Sequence, residues 1–336
     1  MQVHRDLDQL PPFRKAVVTI GTFDGVHLGH RQIIQTLRKV ADEIGGEAII
    51  ISFDPHPREV VSSQPNSIQL LNCPEEKIEL LTRLGVDHLV LVPFTREFSL
   101  LPAEAYISDF LVRRFRLHTI IIGYDHRFGY QRKGDYTLLK ARQAAYGYRV
   151  LEIPRQLVDE LTVSSTKIRQ KLLEGDVHTA NQLLGYCYFM TGTVVHGEKR
   201  GRLLGFPTIN LSIADTRKLI PAHGVYAVMV HVPSSNLQAR FPDPQGMDLL
   251  RGILNIGRHP TFSDRGLHIE AHLFETDRTL YGCMARIHLV AFQRPDRKFN
   301  TSDDLVAQMH LDKAESQEVL EAFLHQPEFE KYLING

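Results

Sequence analysis

The 336 residues are enough for two domains at roughly 100 to 200 residues each. With 39 Lys and Arg against 39 Asp and Glu, no net field selects nucleic acid or a membrane surface, so an anionic ligand must be held by local groups. Cys73, Cys187 and Cys283 are odd in number and far apart, which argues against a disulfide framework and a CxxC metal knuckle.

The opening MQVHRDLDQLPPF has acidic residues and no apolar core of signal-peptide length, and nowhere do about 18 apolar residues run together. A soluble, cytoplasmic protein is expected, with small molecules rather than nucleic acid or membrane as partners; homo-oligomerisation is left open. β-branched runs then alternate with amphipathic stretches: AVVTI, RQIIQTLRKVADEIG, EAIIISF, CPEEKIELLTRLG, HLVLVPF, PAEAYISDFLVRRF, HTIIIG, GDYTLLKARQAAYG and YRVLEIP. This rhythm predicts βαβ units on a parallel sheet. SSTKIRQKLLEG and VHTANQLLG add two short helices.

After about Gly185 the pattern changes. YFMTGTVVHG, GFPTINLSI, GVYAVMVHV, GILNIG, HIEAHLFE and ARIHLVAF are short, often alternating and separated by Gly, Pro and Asp turns, which predicts an antiparallel barrel or sandwich. Residues 233–248 read as a surface loop, and a long helix over about Thr301 to Leu324 ends the chain.

Two constellations carry chemistry. Directly after AVVTI comes GTFDGVHLGH, residues 21–30. Gly21 and Gly25 allow a tight turn, and Gly29 leaves the backbone open to a ligand. A helix N-terminus attracts anions and disfavours a cationic imidazole, so His27 and His30 read as neutral donors facing a phosphate. An HxxH pair alone is more often packing or capping than a site, and zinc would need further ligands, His56 being the nearby candidate.

In the second constellation, GFPTINL puts Thr208 and Asn210 on one strand face and Ile209 on the other. Hydroxyl and amide oxygens are hard ligands suited to Mg²⁺, which keeps waters and phosphates as its other ligands. The preceding HGEKRGRLLG, with Gly197, Lys199, Arg200, Gly201 and Arg202, is a glycine-rich basic turn able to cover a polyphosphate. Each feature by itself is also compatible with strand-edge polarity or a solvated turn.

GTFDGVHLGH resembles the GxFDGxHxGH motif of the HxGH nucleotidyltransferases. Together with SFDPHP (52–57), GYDHRFGYQRKGD (123–135) and VSSTKIR (163–169), in that order, it resembles the bifunctional bacterial riboflavin kinase/FMN adenylyltransferase (FAD synthetase) family. GRLLGFPTINL, NIGRHPTF and HIEAHLFETDRTLYG are similar to blocks of the riboflavin kinase domain, so the resemblance runs from about Ala16 to Leu320. It implies a Rossmann-like α/β adenylyltransferase, residues 1–185, followed by a six-stranded β-barrel kinase with a C-terminal helix, residues 186–336. Riboflavin would become FMN and then FAD, with one ATP and Mg²⁺ in each step.

Residue by residue, the resemblance implies that His27 and His30 contact the ATP phosphates, His30 stabilising charge at the α-phosphorus. Gly21, Phe23, Asp24, Gly25 and Gly29 belong to the same ATP site, and Ser164, Ser165 and Arg169 grip the triphosphate from the other side; Ser164 or Ser165 can also N-cap the helix that follows. Asp125, Phe128, Pro55 and His56 lie toward the flavin. In the kinase Gly197, Lys199, Gly201, Arg202, Thr208 and Asn210 bind ATP, Thr208 and Asn210 hold Mg²⁺, and Glu270 accepts the riboflavin hydroxyl proton. A cross-strand ion pair is the plain alternative for Glu270. The sequence departs from the family pattern at His126, Ile209 and His259. Two rival readings are one working site only, and a flavin-sensing protein without turnover.

Overall fold

The short β-branched runs become strands of one sheet, buried on both faces at its centre and partly exposed at its edges. Gln2–His4 (β1), Ala16–Ile20 (β2), Glu47–Phe53 (β3), His88–Val92 (β4), Thr119–Gly123 (β5) and Arg149–Ile153 (β6) form one parallel sheet in the order β1-β4-β3-β2-β5-β6. Every residue of β2 and β4 is buried, as expected for central strands covered by helices. The computed structural model describes residues 1–62, 68–123, 126–153, 163–197, 201, 204–234, 241, 246–258, 267–274, 276, 278–327 and 329–333.

Two features of this half were not legible. β1 is only three residues long, and its edge position is marked by a His4 Nε2 to His88 Nδ1 contact of 3.1 Å. Residues 102–115, read as one amphipathic helix, contain a π-helical stretch, Tyr106–Val112, which turns Tyr106, Ile107, Phe110 and Leu111 into the core.

The later strands close a barrel. Phe189–Val195 (β7), Thr208–Ser212 (β8), Gly224–Pro233 (β9), Met247–Arg258 (β10), Leu267–Leu273 (β11) and Met284–Pro295 (β12) run antiparallel in the closed order β10-β11-β8-β7-β12-β9. Closure removes the unpaired edges that an open sheet would expose. β10 begins at Met247, so it takes in the end of the stretch read as loop 233–248.

The long C-terminal helix, Ser302–Leu324, is N-capped by Thr301, with Asp303 and Asp304 in its first turn. Its Leu320 and Phe323 pack with Cys187, Val225, Ala227, Met229 and Ile253; burying each such large side chain is worth about 1.5–3 kcal/mol.

The chain divides into two compact units, Met1–Ser165 and Thr166–Gly336. The helix Val177–Leu184 is tied to the second unit through Asn181, whose amide donates to Leu289 O at 2.9 Å and accepts from Tyr188 N at 2.7 Å.

Candidate active sites

In the first unit the strand order reverses at β2, between β3 and β5, and the crevice beyond the carboxyl ends of strands at such a point is where α/β sheets bind ligands. GTFDGVH follows β2 there. Left-handed backbone falls on Phe23 (φ 47), Gly25 (φ 86) and Val26 (φ 35), so of the glycines expected to make the turn Gly25 does so. Gly21 serves differently, since a Cβ on it would sit 3.1 Å from the Phe23 ring. Gly29, expected to leave the backbone open to a ligand, also has the His27 ring beside it, 3.3 Å from where a Cβ would lie.

His27 is the N-cap of the helix Leu28–Ile44, its Nδ1 accepting from His30 N at 3.3 Å. It is therefore not a free two-sided donor, since Nδ1 is engaged as an acceptor. The His27 and His30 rings stack with centroids 3.7 Å apart, and Phe23 closes on His30 at 4.9 Å. Burial, and then the neighbouring charges of His27 and Lys77, hold His30 well below the usual imidazole range, so it is neutral near neutral pH. Its Nδ1 is buried and has no hydrogen-bond partner among the described residues. A neutral ring with an unused buried nitrogen at a helix N-terminus fits a hydrogen bond to a phosphate oxygen.

Asp24 and Ser165 hold this loop. Asp24 is 1% exposed and accepts at Oδ1 from Leu71 N (2.9 Å) and Asn72 N (3.2 Å), which makes it a tether between the loop and the segment leading into the helix Pro74–Arg83. Ser165 donates to Asp24 O at 2.8 Å, so its hydroxyl engages the motif rather than capping the helix Ser165–Leu173, while Ser164 stands exposed just before that helix. Arg169 is half-buried one turn into it.

Of the expected flavin residues, Pro55 follows Asp54 through a cis peptide, and His56 N-caps the helix Pro57–Val61, accepting from Arg58 N at 3.1 Å. Phe128 is buried against Tyr106 at 5.0 Å. Asp125 lies outside the described residues.

In the second unit Thr208 and Asn210 share the half-exposed face of β8, with Ile209 and Leu211 buried on the other. β11 alternates likewise, and its Glu270 is the register partner of Asn210. The Thr208 hydroxyl donates to Glu270 Oε1, and Glu270 has no ion pair among the described residues. Three oxygen-bearing side chains from two strands thus meet in one place. Gly197 and Gly201 come close to them: a Cβ at Gly197 would lie within 2.1 Å of Asn210 Nδ2, and one at Gly201 within 3.3 Å of Thr208 Oγ1. Lys199, Arg202 and His259 lie outside the described residues.

The Thr208 proton is held by Glu270, which leaves the hydroxyl lone pairs for a cation, and the Asn210 amide oxygen is a second hard donor on the same face. No cluster of three or more His, Cys, Asp or Glu able to hold a metal occurs among the described residues. Donors this few fit Mg²⁺ brought in with a nucleotide rather than a resident all-protein cage. Sequence reading missed the Asn255 amide, paired opposite Glu270 from β10, and the buried Lys77 near His30. The run NIG was a signal for the first; register alone assigns it to this site.

Comparison with known proteins bears on both halves. Residues 11–167 match the FAD synthetase family model and residues 184–320 the riboflavin kinase model. The bifunctional riboflavin kinase/FMN adenylyltransferase of Listeria monocytogenes is 36% identical over 90% of this chain and 91% of its own. Its Escherichia coli K12 counterpart is 34% identical over 91% and 93%. A crystal structure described as a macrolide-efflux protein from Streptococcus pneumoniae superposes with a TM-score of 0.81 at 28% identity, covering 94% of this chain and 98% of that one. No helix among the described residues is long and apolar enough to cross a membrane.

Proposed function

The chain belongs to the bifunctional riboflavin kinase/FMN adenylyltransferase family, converting riboflavin to FMN and FMN to FAD with ATP, and from that premise we propose how its residues divide the two reactions. We assign adenylyl transfer to the first unit, Met1–Ser165, and the kinase to the second, which takes in the helix Val177–Leu184 that a division at 185 would leave with the first, in a cytoplasmic enzyme whose partners are its small-molecule substrates.

In the kinase, Glu270 accepts the proton of the riboflavin 5′-hydroxyl as that oxygen attacks the γ-phosphorus of ATP and ADP departs. The observation that carries this reading is the Thr208 hydroxyl on Glu270 Oε1, which joins the catalytic carboxylate to the proposed metal ligands. Thr208 and Asn210 would hold Mg²⁺, which when bound neutralises charge on the ATP phosphates. Gly197 and Gly201, which leave no room for a side chain against Asn210 and against Phe206 O, would sit beside the polyphosphate.

In adenylyl transfer the FMN phosphate attacks the α-phosphorus of ATP in line and pyrophosphate leaves, with no covalent enzyme intermediate. The protein supplies position and preorganised donors. His30 brings a neutral ring to the charge that gathers on the α-phosphate, and His27 organises the helix end. Ser164, at the end of the same unit, joins them on the triphosphate.

Incubation with riboflavin, ATP and Mg²⁺, followed by chromatography of the flavins, tests the assignment. FMN should appear first and FAD after it, and chelation of Mg²⁺ should stop both. Formation of FMN undiminished by chelator would remove Thr208 and Asn210 from metal binding.

A further inference from the structure

Three neighbouring strands of the barrel carry one polar row. Asn210 on β8 is paired with Glu270 on β11, and Glu270 with Asn255 on β10; all three are half-exposed. Directly opposed residues on one sheet face have Cβ atoms about 4.5–5.5 Å apart, near enough for an amide to reach a carboxylate.

The orientation of the Asn255 amide is fixed from the side. His268, two residues before Glu270 on the same face of β11, meets Asn255 Oδ1 through Nε2 at 2.7 Å. An amide oxygen can only accept, so Nε2 of His268 carries a proton and donates it. The ring has room because its register partner is Gly257, where a Cβ would lie 2.8 Å from His268 Cε1 and 3.2 Å from Asp296 Oδ2. With its oxygen committed to His268, Asn255 has only N–H groups to offer elsewhere. The acceptor that register sets opposite it is Glu270, whose Oε1 is already held by Thr208.

We propose that Asn255 and His268 are positioning residues of the kinase reaction: His268 locks the Asn255 amide with its N–H edge toward Glu270, and Thr208 and Asn255 together hold the carboxylate in the pose that takes the riboflavin proton. Neither residue touches the reacting atoms. The proposal rests on the reading of Glu270 as the base, and the test separates the two.

Kinase kcat, riboflavin KM and pH dependence are measured for wild type, His268→Leu, His268→Gln, Asn255→Asp and Glu270→Gln, with unfolding temperature and adenylylation of supplied FMN as checks on the folded protein. Loss of the His268 donor in His268→Leu should lower kcat about tenfold at nearly unchanged KM, the scale of a misplaced catalytic group. Glutamine keeps a donor at similar reach, so His268→Gln should recover to within about threefold of wild type. Asn255→Asp puts a like charge opposite the base and should move the acidic limb of kcat up by about one pH unit. If His268→Leu keeps full kcat and Asn255→Asp leaves the limb in place while Glu270→Gln is inactive, the positioning role is wrong and the base reading stands. If Glu270→Gln is active, both fall. Should His268→Leu unfold, the limb of Asn255→Asp decides alone.

Discussion

The two sites are made in different ways. In the first unit the site is a loop and a helix tip: left-handed backbone at Phe23, Gly25 and Val26, two stacked imidazoles, and a tether through buried Asp24. In the second it is a register: Thr208, Asn210 and Glu270 meet because β8 and β11 pair with Asn210 opposite Glu270. The loop site offers a helix N-terminus and the neutral His30 ring, suited to charge that develops on a phosphate. The strand site offers fixed oxygen donors and a carboxylate, suited to a cation and a proton. On the proposed assignment, one enzyme answers two phosphorus reactions with donors in one place and acceptors in the other.

That contrast can be broken at four points. Removing the proton acceptor should be the heaviest loss: Glu270→Gln should lower FMN formation by about 10²- to 10⁴-fold, the usual worth of a positioned general base, read in initial rates with riboflavin. Next comes the missing donor, where His30→Ala should lower FAD formation from supplied FMN by about 10²- to 10³-fold. A smaller effect is expected on stability. Asp24→Ala leaves the Leu71 and Asn72 N–H groups buried without their acceptor and should cost about 2 kcal/mol in denaturant unfolding of the first unit.

The smallest effect concerns pH. Because the folded pKa of His30 is lowered, the ring stays neutral as pH falls through the ordinary histidine range, whereas in the unfolded chain it takes up a proton there. His30 should therefore put no acid limb near the ordinary histidine value on adenylyl transfer, while stability of the first unit falls with acidification through that value toward the lower folded pKa. A rate profile with a limb at the ordinary value, removed by His30→Gln, would show His30 to titrate freely.

Much of this was legible in the sequence. The parallel sheet followed from β-branched runs spaced by helices, and the outward face of β8 from alternation around Ile209, because both periods are local. What register decides was not: the Thr208 hydroxyl on Glu270 and the Asn255 amide opposite it depend on which residues of distant strands are opposed. Nor could composition tell that the His27 ring lies beside Gly29 and the Phe23 ring beside Gly21, since a missing side chain does not name its neighbours. β1 escaped notice because three residues carry no periodicity, and the π-helical stretch because apolar spacing alone does not distinguish it from an α-helix.

Independence of the two sites is tested most directly by assaying His30→Ala and Glu270→Gln, each with riboflavin and with FMN in turn, and separating the flavins. His30→Ala should make FMN from riboflavin at the wild-type rate and stall there, and Glu270→Gln should leave riboflavin untouched yet turn supplied FMN into FAD at the wild-type rate. If either single substitution abolishes both conversions in a folded protein, the two chemistries share a site and the division between helix tip and barrel strands is wrong.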